Sequence, residues 1–131
     1  MSVLVLGLTS CSKDDTQEPA SIVGTWDQFQ FVYVNKINGE EIIEDYTPNC
    51  SGKPLHIVFN SNGEGFYNSY SSSTCELDSY PILWSQSGQS LIIEYDNGEQ
   101  DKPQVTQLDE TTLKLLYSQG GEIVTIIYRR R

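Results

Sequence analysis

Apolar residues recur at every second position in Leu55-Ile57-Phe59, Tyr80-Ile82-Trp84, Leu91-Ile93-Tyr95, Leu113-Leu115-Tyr117 and Ile123-Thr125-Ile127, with mostly polar residues between them. A period of two belongs to a strand with one buried face, because successive side chains point to opposite sides of a sheet. Between these stretches lie Asn38-Gly39, Ser61-Asn62-Gly63, Ser87-Gly88, Asp96-Asn97-Gly98 and Gln119-Gly120-Gly121. Asparagine and glycine accept the backbone angles that tight hairpins demand. The pattern predicts eight or nine strands, at roughly 24–35, 41–47, 54–60, 64–71, 79–86, 90–96, 102–108, 112–118 and 122–129. No segment sustains a helical period, so the expected class is all-β with no substantial helix.

The apolar residues spill onto the second face at Val32 and Val34, beside Phe29-Phe31-Tyr33, and at Val124 and Ile126. Strands that are apolar on both faces suit a barrel or sandwich better than an open sheet. Sequential strands joined by tight turns imply a single antiparallel up-and-down meander. Closing it into a β-barrel of eight or nine strands would remove its exposed edges.

The 131 residues suffice for one domain with its own core. Asp and Glu total 18 against 8 Lys and Arg, a formal charge of −10, which repels phosphate backbones and argues against a nucleic-acid partner. The first residues change the picture more. Ser2-Val3-Leu4-Val5-Leu6-Gly7 is apolar but shorter than a bilayer span, and Leu8-Thr9-Ser10-Cys11 has the small residues and cysteine of a lipoprotein processing site. Residues 1–10 are therefore expected to be the remnant of an export signal. The positively charged flank that usually opens such a signal is missing, as expected of a start codon assigned late or of a trimmed N-terminus. Residues 11–21 read as a lipidated Cys11 and a polar tether, and 22–131 as the barrel domain. Ser12-Lys13-Asp14-Asp15 adds an acidic tract like that of lipoproteins exported to the outer face of a Gram-negative outer membrane. The expected location is the cell envelope, anchored to the outer membrane on its periplasmic or surface face through the lipid alone.

Lipidation of Cys11 leaves Cys50 and Cys75 as an even pair in an oxidising compartment, so a disulfide is expected between them. The alternative is two free buried thiols. Catalysis by a Ser-His-Asp or Cys-His constellation needs a histidine base, and only His56 exists, on the alternate face from Leu55, Ile57 and Phe59 and expected to face solvent. No catalytic residue, metal site or cofactor is implied. Asp96-Asn97-Gly98-Glu99-Gln100-Asp101 resembles a calcium loop faintly but lacks its terminal bidentate glutamate, and reads mainly as a hairpin turn. Arg129-Arg130-Arg131 reads as a solvated end. The Tyr/Ser-rich stretch from Tyr67 to Thr74 reads as a polar loop pinned by the disulfide or as a surface for sugar or peptide.

Ile22-Val23-Gly24-Thr25-Trp26 opens the first strand with a Gly-x-Trp followed by alternating aromatics, which resembles the start of the lipocalin superfamily. Leu55 to Gly63 is similar to a strand-turn unit of bacterial lipocalin-like lipoprotein domains. Trp84-Ser85 before a Ser-Gly turn, Leu91-Ile92-Ile93, the run from Val105 to Leu115, and Tyr128 extend the resemblance over residues 22 to 129. It implies a lipocalin-like barrel in which Trp26 packs across the closed end. A barrel of eight strands is just wide enough to be filled by side chains or to hold one small ligand.

Two functions compete. In one, the barrel of a monomeric lipoprotein binds a small apolar or amphipathic molecule at the end opposite Trp26, among Phe29, Phe31, Tyr33, Phe66, Tyr80, Ile82 and Trp84. In the other, the barrel is filled and its loops meet a protein or glycan partner. An enzyme has the least support from these residues.

Overall fold

The computed structural model describes residues 20–131, and the expected signal remnant, Cys11 and most of the tether lie outside them. Ten strands follow one another: β1 (Gly24–Val34), β2 (Glu41–Asp45), β3 (His56–Phe59), β4 (Glu64–Tyr70), β5 (Leu77–Ser87), β6 (Ser90–Tyr95), β7 (Gln100–Asp101), β8 (Gln104–Leu108), β9 (Thr112–Gln119) and β10 (Glu122–Arg130). All pairings are antiparallel, and β10 returns to pair with β1, so eight strands close into a hydrogen-bonded ring in the order β1-β3-β4-β5-β6-β8-β9-β10. The weakest seam is between β6 and β8, which share the pair Ser90↔Gln104 and the backbone bonds Leu91 N to Pro103 O and Val105 N to Gln89 O.

Two strands stand off this ring. β1 is long enough to pair with β3 over Gly24 to Asp27 and with β2 over Gln30 to Val34. β2 is an edge strand exposed at all five residues, and Glu41, Glu44 and Asp45 keep it wet. β7 pairs only with the end of β6.

The barrel is packed at one end. Trp26, Ile57, Phe59, Ile82, Leu91, Ile93, Leu113 and Leu115 form its inner cluster, each almost wholly removed from water. Trp26 is fully buried, donates from Nε1 to Ile22 O at 2.8 Å, and carries the Arg130 guanidinium 4.2 Å from its ring centre. Arg130 also donates to Val23 O, Ser21 O and Glu110 O, which ties β10 to the segment leading into β1 and to the β8–β9 turn across this end. A Cβ on Gly24 would meet Arg130 Nη1 at 2.8 Å, and Gly24 has a φ of +141°, so the glycine of Gly-x-Trp is needed both for its backbone angle and for space. On β4, Gly65 faces inward, and a Cβ there would drive into the Val58 carbonyl oxygen.

The terminal arginines depart from the expectation of a solvated end. Besides Arg130, Arg129 lies 3.7 Å over the Phe29 ring and Arg131 pairs with Asp27 at 2.7 Å. His56 departs as well. It lies on the alternate face from Ile57, but it is buried at 6 % exposure because the segment from Tyr46 to Leu55 folds over that face. Cys50 in this segment is bonded to Cys75 at a Cα separation of 5.8 Å, and Asn49 Nδ2 donates to Tyr70 O. The His56 Nδ1 sits 3.1 Å from Pro54 O, an acceptor only, so it carries the proton and Nε2 accepts from Asn68 Nδ2.

Candidate functional site: a tyrosine-lined cavity at the open end

The inward series of the strands change character along the barrel axis. β6 runs Leu91, Ile93, Tyr95; β9 runs Leu113, Leu115, Tyr117; β5 runs, in reverse, Trp84, Ile82, Tyr80. Because neighbouring strands are antiparallel, these aliphatic-to-tyrosine gradients all point the same way, and the phenols gather at the end away from Trp26. There they enclose a cavity of about 560 Å³ open to solvent, walled by Tyr67, Tyr80, Tyr95 and Tyr117, with Tyr128, Gln28 and Ile126 also lining it and Asp96, Asn97, Glu99 and Asp101 along one side. Five of the protein's 8 tyrosines line this space.

The phenols are ordered against one another. Tyr67 and Tyr95 meet edge to face, with ring centres 6.1 Å apart at 79°, a favoured arrangement for aromatic quadrupoles. Tyr95 donates its hydroxyl to Asp101 Oδ2 at 2.7 Å. Burial, then the hydrogen bond and charge of Asp101, push the Tyr95 phenol far above its usual range. Burial, and after it the Asp101 charge, do the same for Tyr117. Tyr67 is raised chiefly by burial and Tyr128, wholly enclosed, by burial above all. The cavity therefore presents neutral phenols, which can donate as well as accept, beside a carboxylate.

The residues expected to form a binding site distribute differently. Of the seven, Tyr80 lines the cavity. Phe31 pairs across strands with the cavity-lining Ile126, and Phe31 and Tyr33 stack 6.0 Å apart on β1 beyond it, with Tyr46 edge-on to Phe31 at 6.1 Å. Ile82 and Trp84 point inward but belong to the packed end. Ile82 is 3 % exposed, and Trp84 abuts Phe59 at 5.4 Å and donates to both Asn60 O and Glu64 O. Phe29 and Phe66 face outward. A register shift between Gln28 and Gln30 places Phe29 on the outer surface under Arg129. On β4 the inward position is Gly65, so Phe66 lies outside and is 42 % exposed.

Phe66 instead helps line a separate outer groove of about 450 Å³ with Pro81, Leu83, Glu64 and Glu94. Sequence reading missed Tyr67, Tyr95, Tyr117 and Tyr128 as site residues, although the clue was present as a tyrosine ending the alternation in two strands. The Tyr/Ser-rich stretch is divided: Tyr67 to Tyr70 belongs to β4, and Tyr67 faces the cavity. The Asp96–Asp101 segment forms a turn and the short β7, with Tyr95 N bonded to Glu99 O, and contributes the acidic wall. Among the described residues, no group of three or more His, Cys, Asp or Glu is placed to hold a metal ion.

A family model described as a lipocalin-like domain matches residues 22–115. The chain belongs to the lipocalin-like domain family. Its fold agrees with solved structures at low identity. A lipocalin-like protein from Bacteroides uniformis superposes with a TM-score of 0.59 at 15 % identity, over 83 % of this chain and 97 % of that one. A protein from Bacteroides eggerthii superposes with a TM-score of 0.61 at 10 % identity, over 85 % of this chain and 100 % of that one. No curated protein matches the sequence. A lipocalin-like barrel of this kind suggests the binding of a small ligand, and the cavity gives such binding a place in this chain.

Proposed function

We propose that this lipocalin-like chain is a cell-envelope lipoprotein, acylated at Cys11, whose barrel binds a small, partly apolar molecule at its open end without transforming it. The observation that carries the binding half is the division of the barrel interior: one end is packed solid around Trp26, while the other holds a cavity of about 560 Å³ walled by phenols. Such a space matches the size and mixed lining of small-molecule sites, mostly apolar with a few placed polar groups. The envelope half rests on Leu8-Thr9-Ser10-Cys11 and on the Cys50–Cys75 bond, which oxidising compartments favour.

The second reading, a module that meets a protein or glycan partner, has its own support in the exposed apolar residues Phe66 and Leu83 on the outer face and Ile42 and Ile43 on β2. Native mass spectrometry of protein purified from its own host separates the two. A bound small molecule, released by denaturation, is expected. Protein that carries no extra mass, yet co-purifies with a stoichiometric partner, would favour the module. A full-length gene carrying Cys11→Ala tests the anchor: its product is expected to leave the membrane fraction, and product that stays there without detergent contradicts acylation at this residue.

A further inference from the structure

The charge at the open end distinguishes between ligands. Asp96, Glu99 and Asp101 stand on one wall of the cavity, and among the described residues no lysine or arginine lines it. Five basic side chains are engaged elsewhere: Arg129 on Phe29, Arg130 on Trp26, Arg131 on Asp27, Lys36 on Glu122 and Lys53 over Tyr70. Lys102, next to Asp101, lines an adjoining cleft with Gln100 and Ser118 that shares Asp101 and Tyr117 with the cavity, but Lys102 itself does not line the cavity. The lining itself thus carries three carboxylates and, among the described residues, no basic group. The reach of this charge shows in the phenols, since the Asp101 charge raises Tyr67, Tyr95 and Tyr117 together. Tyr95 occupies Asp101 Oδ2, and among the described residues no donor is bonded to Oδ1.

Phenol rings add to this field. The face of an aromatic ring is the negative part of its quadrupole, so rings around a partly dry space attract a cation and do little for an anion. From these placements we infer that the cavity takes a ligand bearing an ammonium group on an apolar body, the cation held beside Asp101 among the rings of Tyr67, Tyr80, Tyr95 and Tyr117. The inference rests on the reading of this cavity as a binding site and narrows it to one ligand chemistry. A neutral hydrogen-bonding ligand of the same shape would forgo the attraction, and an anion would be repelled.

Three probes that share one body test it: phenethylammonium, the neutral phenethyl alcohol and the anionic phenylpropionate. Each is titrated at low salt into the protein with labelled tyrosine rings, and the affinity is read from the shifts of the cavity phenols. Phenethylammonium is expected to bind about tenfold or more tighter than the alcohol, a factor that a desolvated cation–π contact supports, with phenylpropionate weakest. Asp101→Asn should bring the ammonium probe down to the affinity of the alcohol and leave the alcohol unchanged. Glu110→Gln, at the packed end beside Arg130, changes the net charge equally and should alter none of the three.

If the alcohol or the anion shifts the cavity phenols at equal or lower concentration, the cation inference falls while the cavity remains a binding site. If Asp101→Asn weakens ammonium and alcohol alike, Asp101 only shapes the wall, and the inference falls too. If no probe shifts the cavity phenols, both the inference and the binding reading fall.

Discussion

Asp109 orders the β8–β9 turn through its carboxylate. Its carboxylate accepts from Gln107 Nε2 and from the backbone N–H groups of Thr111 and Thr112, and these bonds hold it at about 2, well below its ordinary value of 3.8. A carboxyl whose folded value is depressed contributes stability above its unfolded value and loses it as pH falls through the folded one. Unfolding followed by pH should therefore show a component that disappears between about pH 4 and pH 2, and Asp109→Asn should remove that component; an unaltered acid limb would contradict the assignment. The turn itself was legible only as the gap between the strands expected at 102–108 and 112–118. Residues that act across the barrel were not. Arg130 reads as one of three terminal charges until β10 closes on β1 and carries its guanidinium over Trp26, and no local pattern encodes that closure. Phe29 and Phe66 were misplaced for a related reason: a register shift and an inward glycine each reverse which neighbour faces in, and hydrophobicity alone favours the phenylalanine.

Among the elements, strands were the most legible, because a period of two and turn residues are written locally, and the expected limits of β1, β4, β6 and β9 fall within a residue or so of those found. Partners were less so: β2 and β7 stand off the ring because β1 is long enough to serve two neighbours and β7 is only two residues long. At the packed end, Trp84 of β5 ties the β3–β4 turn through two hydrogen bonds and abuts Phe59. Trp84→Ala should cost about 3 kcal/mol in denaturant unfolding, the low end for a large aromatic because the ring is only partly buried, and should leave cavity binding intact. A stable variant with lost binding would relocate the site to that end. The Cys50–Cys75 bond closes a loop that contains all of β3 and β4. Its reduction should cost about 3 kcal/mol in the chain-entropy account; unchanged stability would mean that the contacts of the Tyr46–Leu55 segment already fix the loop.

For the whole molecule, the barrel interior is divided between a packed end and an open one. The aliphatic halves of the inward series build the core, and the tyrosine halves leave a space walled by neutral phenols and one acidic side. That division follows from antiparallel strands sharing one gradient, so it becomes visible only when the alternating series are laid side by side with their directions reversed in turn. The most direct test is to fill the space. Ile126 lines the cavity where it packs against the core, and Ile126→Trp places an indole where a ligand would sit. Native mass spectrometry of the wild-type and Ile126→Trp proteins, purified alike from the native host, is expected to show an added small-molecule mass on the former and its loss from the latter, with both folded by circular dichroism. Bare wild-type protein, or a filled variant that retains the same added mass, would contradict a ligand-binding open end.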